Sequence, residues 1–191
     1  MKLKELANVR SGLILARKQS KIPSNYRYPL LNLKCIHPDG YILKEQLEVF
    51  HAVEHLNLEY VTHRGDIVVR LSTPYTAVLI DKATEGIVIP SSFAIIRADS
   101  RKILPDYLQW LLNTRRVKQQ IFESATGNML AAVKPSYFAD FELKLISMEN
   151  QQTIARLHSL AQKEIQLLHH LAEEKEKYYN SAIEDIQKSI V

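Results

Sequence analysis

The sequence predicts an α+β fold: a mixed α/β head over roughly residues 1–146, then one long C-terminal coiled-coil-type helix over 147–191. Three observations predict it. Neither glycine nor proline occurs after Pro135, so nothing there removes a backbone donor or adds backbone entropy. In the same stretch Leu157, Ala161, Ile165, Leu168, Leu171, Ala172, Tyr178, Ile183 and Ile186 recur at helical spacing, with Glu, Lys and Gln between them. Upstream, valine- and isoleucine-rich runs bounded by turn residues crowd into residues 66–97.

Taken in order, Met1 to Val9 is a short lead-in element, closed by the turn signal Ser11-Gly12. Leu13 to Asn25 is an irregular basic loop. Arg27 to Ile36 reads as a strand ending at Pro38-Asp39-Gly40. Glu45 to Leu56 has helical spacing. Strands follow at Asp66–Leu71, Thr76–Ile80, Gly86–Ile89 and Phe93–Arg97. Pro105-Asp106 opens a helix through Leu112, since proline is tolerated in a first turn. Arg115–Glu123 is a second helix, broken at Thr126-Gly127-Asn128. Asp140–Ile146 alternates as a last strand. Ser147 caps the long helix and Glu149 sits in its first turn, where the dipole favours negative charge. At ~1.5 Å per residue that helix runs roughly 60 Å. A helix this long, apolar to its far end, needs a partner along most of its length.

Charge divides the chain. Residues 1–148 hold 20 Lys/Arg against 14 Asp/Glu, whereas residues 149–191 hold five against seven. The head is therefore basic and the helix mildly acidic. Between Leu6 and Pro38 no acidic residue occurs, while Arg10, Arg17, Lys18, Lys21, Arg27 and Lys34 are all present. Such a surface suits a polyanion, because phosphate contacts release counterions; surface charge for solubility is the simpler alternative. One cysteine, Cys35, excludes an intrachain disulfide and fits a reducing compartment. No signal peptide or membrane-length apolar run is visible, so a cytoplasmic protein is the expectation.

Catalytic signatures are weak. His51-Ala-Val-Glu54-His55 matches H-x-x-E-H, with Glu123 a conceivable third zinc ligand, but a solvated helix explains the pattern as well. Pro105-Asp106 with Glu142-Leu-Lys144 mimics a nuclease signature, yet a helix start and an exposed strand face suffice. Cys35 with His37 lacks an orienting group and reads as a buried structural thiol. No phosphate-cradling glycine loop and no G-x-S-x-G occur. A non-enzyme is expected, with no catalytic residue, no metal and no cofactor of its own. Leu71-Ser-Thr-Pro-Tyr75-Thr76, preceded by Arg70, clusters hydroxyls, an aromatic and a cation at a strand connection, groups that can donate to phosphates and base edges.

Leu3-Lys-Glu-Leu6 to Ser11-Gly12, Gly65-Asp66-Ile-Val-Val-Arg70-Leu-Ser-Thr-Pro74, Ile103-Leu-Pro-Asp-Tyr-Leu108, the Thr126-Gly127-Asn128 turn, and Asn150-Gln151-Gln152-Thr-Ile154 before a long helix stand in an order that resembles the specificity (S) subunit of type I restriction–modification systems. The resemblance spans nearly the whole chain and fits half of such a subunit, with a single target recognition domain. The family often has prolines just before the Gln-containing helix start; Leu145-Ile-Ser-Met148 has none.

The resemblance implies a protein that recognises double-stranded DNA without chemistry. S subunits ordinarily carry two recognition domains joined by two antiparallel helices, so one domain and one helix imply a homodimer reading a bipartite palindrome. Arg17, Lys18, Lys21 and Arg27 are candidates for phosphate contact. Arg70, Ser72 and Tyr75, with Asn128 and Lys134 behind them, are candidates for base readout. Leu157, Ala161, Leu168, Leu171 and Tyr178 form the dimer seam. Leu160, Ile165 and Leu167 lie off it, free for the head or for modification subunits. Those methyltransferase subunits would supply S-adenosylmethionine and adenine methylation, and a restriction subunit could join. The competing readings are a coiled-coil adaptor with no DNA role and, remotely, a zinc hydrolase using His51, Glu54 and His55.

Overall fold

Asp66-Ile-Val-Val-Arg70 and Phe93-Ala-Ile-Ile-Arg-Ala98 are buried on both faces, and this decides where they sit. In the computed structural model, which describes residues 1–125 and 132–190, they form the two central strands of a four-stranded antiparallel sheet. β1 is Ala7–Ser11, β2 Tyr26–Leu30, β3 Glu48–Ala52, β4 Asp66–Arg70, β5 Ala77–Leu79 and β6 Phe93–Ala98. The large sheet has the order β1-β6-β4-β5, and β2 pairs with β3 in a separate two-stranded sheet. The helices are α1 (Pro105–Asn113), α2 (Arg115–Ala125), α3 (Pro135–Asp140) and α4 (Met148–Ile190). The chain divides into two compact units, Met1–Ala155 and Arg156–Val191, so the first two turns of α4 belong to the head.

Alternation along the strands gives the sheet two apolar faces. Ile67, Val69, Ala94 and Ile96 face α1, α2 and α3, meeting Leu108, Leu112, Val117, Ile121 and Phe138. Val68, Val78, Phe93 and Ile95 face the irregular segment carrying Leu31, Cys35, Ile36 and Ile42. A third cluster, with Leu30, Phe50, Ala52, Val61 and Val88, seats the small sheet. Gly12 is required where β1 passes residues 89–90: a Cβ there would lie 2.2 Å from the Pro90 carbonyl oxygen. Asp66, 3% exposed, accepts from Arg97 Nε at 2.7 Å and from Arg97 Nη2 at 3.0 Å, a bidentate fork across β4 and β6.

Several sequence expectations need correction. Glu45–Leu56 is not a helix: Lys44–Gln46 is a 3₁₀ turn and Glu48–Ala52 is β3. Phe50 and Ala52 point inward while Val49 is exposed, a two-residue period that outweighs the helical spacing. Gly86–Ile89 makes only isolated bridges, through Val88 to Leu30 and Val61. Arg27–Ile36 is strand only to Leu30, then turns through a 3₁₀ element at Leu33–Cys35 capped by Asn32. Asp140–Ile146 is no strand: α3 ends at Asp140, and Leu3 N–H to Phe141 O and Leu143 N–H to Met1 O tie the segment to the N-terminus. The lead-in runs on into an edge strand, β1, which takes in Ser11 and pairs with β6 from Ala7↔Ala98 to Ser11↔Ala94.

The long helix forms over Met148–Ile190. Ser147 Oγ accepts the Asn150 N–H at 3.3 Å, the expected cap. Among the described residues no helix is long and apolar enough to cross a membrane.

Candidate nucleic-acid interface

The basic loop candidates gather on the small sheet. Leu15–Arg17 is a 3₁₀ turn, after which the chain runs back along β3: Val53 N–H donates to Lys18 O at 2.9 Å and Ser20 N–H to His51 O at 2.8 Å. Arg27 stands on β2 opposite His51. Tyr28 and Leu30 turn inward with Phe50 and Ala52, which leaves Arg27, Pro29, Val49 and His51 on the other face. Arg17, Lys21 and Arg27 are exposed. Lys18 differs, because its ammonium is paired with Glu54, whose carboxylate is held below the usual range by that hydrogen bond. Lys18 therefore meets a phosphate with part of its charge already offset by a neighbouring carboxylate.

The readout candidates form a second group at the β4–β5 turn. Arg70 N–H donates to Thr76 O at 3.1 Å and Tyr75 N–H to Ser72 O at 2.9 Å. Ser72 bridges to Ala132, and Val133 N–H donates to Leu71 O at 2.8 Å. The turn is thereby stitched to the segment leading to Lys134, which is exposed just ahead of α3. So the turn that carries Arg70 and Ser72 meets the segment that leads to Lys134, distant in sequence, at one edge of the head. Arg70 Nε is buried without a hydrogen-bond partner, and desolvation lowers the pKa of its guanidinium. Tyr75 is a correction of role: it is 2% exposed, packed in the larger core cluster with a φ of 53°. It holds the turn and presents no ring for stacking on a base. Asn128 lies outside the described residues.

The zinc pattern falls apart in three dimensions. His51 lies on a strand, where its Nδ1 accepts the Ser24 N–H at 3.1 Å. His55 packs beside Tyr26 and Tyr28, its Nδ1 3.1 Å from the Tyr28 hydroxyl, while Glu54 holds Lys18. Among the described residues no three His, Cys, Asp or Glu side chains could hold a metal ion. Asp106 occupies the first turn of α1 after Pro105. Cys35 is fully buried, its Sγ donating to Gln46 O at 3.0 Å; burial raises its pKa.

Sequence reasoning missed the exposed outer face of β2–β3, and the two-residue alternation in Glu48-Val-Phe-His-Ala52 was the signal for it. It quoted Gln151 without giving it a task. That side chain, fully buried, accepts the Leu104 N–H at 2.9 Å and donates to Ile146 O at 3.1 Å.

No protein-family model matches the chain, and no curated protein matches it. Solved structures do. The HsdS subunit from Thermoanaerobacter tengcongensis superposes with a TM-score of 0.63 over 93% of this chain, at 16% identity. The fold is HsdS-like. A chain from a structure of complex assembly and conformational transition in the type I R-M system matches with a TM-score of 0.66 over 92% of this chain, also at 16% identity. The chain spans 45% of the length of each.

Proposed function

We propose that the chain is a DNA-recognition (specificity) component of a type I restriction–modification system, working as a half-subunit. Support comes from a fold shared over more than nine-tenths of the chain with proteins about twice as long. The basic face of the small sheet and the Arg70–Ser72–Lys134 edge are the surfaces offered to DNA. The first gives salt-dependent, sequence-independent affinity; the second carries donors able to read base edges. No step of chemistry belongs to this chain. Modification subunits supply S-adenosylmethionine and methylate adenine, and a restriction subunit joins where cleavage occurs.

Two copies are needed for a full site. Leu157, Leu168, Leu171 and Tyr178 are 69%, 57%, 50% and 69% exposed on α4, and Ala161 is exposed beside them. Covering each large side chain is worth about 1.5–3 kcal/mol. Pairing the helices antiparallel gives each end of the pair one head, and the two-fold axis makes the target a bipartite palindrome with a nonspecific spacer. Leu160, Ile165 and Leu167, also exposed, remain for the modification subunits.

The test is co-purification with the modification subunit together with duplex binding across a salt series. The proposal expects a stable complex and an affinity that falls steeply with salt. A chain that holds no duplex at low salt returns the protein to the adaptor reading.

A further inference from the structure

We propose that α4 pairs antiparallel with a second copy of itself in the one register that sets Glu164 against the partner's Lys175. This rests on the two-copy reading above and deepens it. The seam follows alternating steps of four and three residues: Leu157, Ala161, Glu164, Leu168, Leu171, Lys175, Tyr178 and Ala182, the spacing of a coiled-coil core. Two of these positions are charged, and both are exposed on the single chain. They stand on the same face three turns apart, roughly 16 Å along the axis, too far to pair within one helix. The intrahelical pair nearby is Glu174–Lys177 at 2.7 Å, which uses neither.

An antiparallel pair with its two-fold axis between Leu168 and Leu171 satisfies every layer at once. Leu168 meets the partner's Leu171. Ala161 meets the partner's Tyr178, small against large. Leu157 meets the partner's Ala182. Glu164 meets the partner's Lys175, and symmetry repeats each layer. Sliding the helices by one heptad ruins this. In one direction Glu164 falls against the partner's Leu168 and Lys175 against the partner's Leu157. In the other, Glu164 falls against the partner's Ala182 and Lys175 against the partner's Leu171. Parallel pairing in register opposes Glu164 to Glu164 and Lys175 to Lys175. A charge facing an apolar layer or its own kind is penalised, so the two charges reject the alternatives.

Sedimentation equilibrium of the full chain tests this, with circular dichroism confirming that each variant stays folded. Wild type should dimerise. E164K and K175E should each raise the dissociation constant about tenfold or more, because each sets like charges together in two layers. The double variant E164K/K175E should return to within about threefold of wild type, and an equal mixture of the two single variants should form heterodimers. A wild-type chain that is monomeric up to the solubility limit overturns the two-copy reading and this proposal with it. A wild-type dimer that the single variants leave unchanged, or that the double variant fails to restore, overturns the register alone.

Discussion

The side chain of Gln151 reaches back to Leu104, accepting its N–H at 2.9 Å while donating to Ile146 O at 3.1 Å. One buried amide thus satisfies the backbone just before α1 and just before α4, and fixes the start of one helix against the start of the other. Two segments that carry the family resemblance, Ile103–Leu108 and Asn150–Ile154, meet at this contact. Gln151→Ala leaves a donor and an acceptor without partners and should cost about 1–3 kcal/mol. Urea denaturation checks it against Gln152→Ala, an exposed neighbour expected to stay within about 0.5 kcal/mol of wild type.

Asp66 and Arg97 make the corresponding tie inside the sheet. Asp66 is almost fully buried, whereas the Arg97 side chain is 29% exposed, so solvent offsets part of the penalty for a stranded cation. Asp66→Ala should destabilise the head by on the order of 2 kcal/mol. Thermal unfolding measures this, and Asp66→Asn, which keeps an acceptor, should lose less.

Glu54 restrains Lys18, and this separates two lysines that the sequence treats alike. Lys21→Ala should lower the steepness of log affinity against log salt by about one. Lys18→Ala should lower it less. Glu54→Gln should strengthen nonspecific duplex binding at low salt, because it frees the Lys18 ammonium and removes a negative charge beside it. Fluorescence anisotropy with a short duplex across a salt series reads all three.

The Cys35 thiol is fully buried and its pKa is raised by desolvation. The folded state therefore favours the neutral thiol, and the stability this lends is present below the pKa of an unfolded cysteine and lost as pH rises through the raised value. At neutral pH a thiol reagent should modify Cys35 only at the rate of unfolding, and urea should expose it in step with the loss of structure. Rapid labelling of the native protein would contradict the burial.

The long helix, α1, α2 and the central strands are legible because their signals are local and strong: a stretch free of glycine and proline, Pro105 in a first turn, β-branched runs between turns. Phe50 and Ala52 show where local reading fails. Their segment fits two periods, and only the third core cluster selects the strand. β1 is hidden because its alternation, Ala7-Asn-Val-Arg-Ser11, is short and ends at a turn signal, and its pairing with β6 spans most of the head. The convergence of Arg70, Ser72 and Lys134 depends on a bridge between Ser72 and Ala132, which no spacing rule encodes. Tyr75 looks like a reading residue in sequence because it clusters with hydroxyls and Arg70 at a strand connection; the core beneath the turn takes it instead.

The most direct measurement is a map of modified adenines in cells that express this chain with its modification subunit. The account predicts one bipartite motif whose halves are inverted repeats of each other, separated by a spacer of fixed length and absent when the chain is deleted. Modification at a single undivided motif, at two unrelated half-sites, or independent of the chain would contradict it.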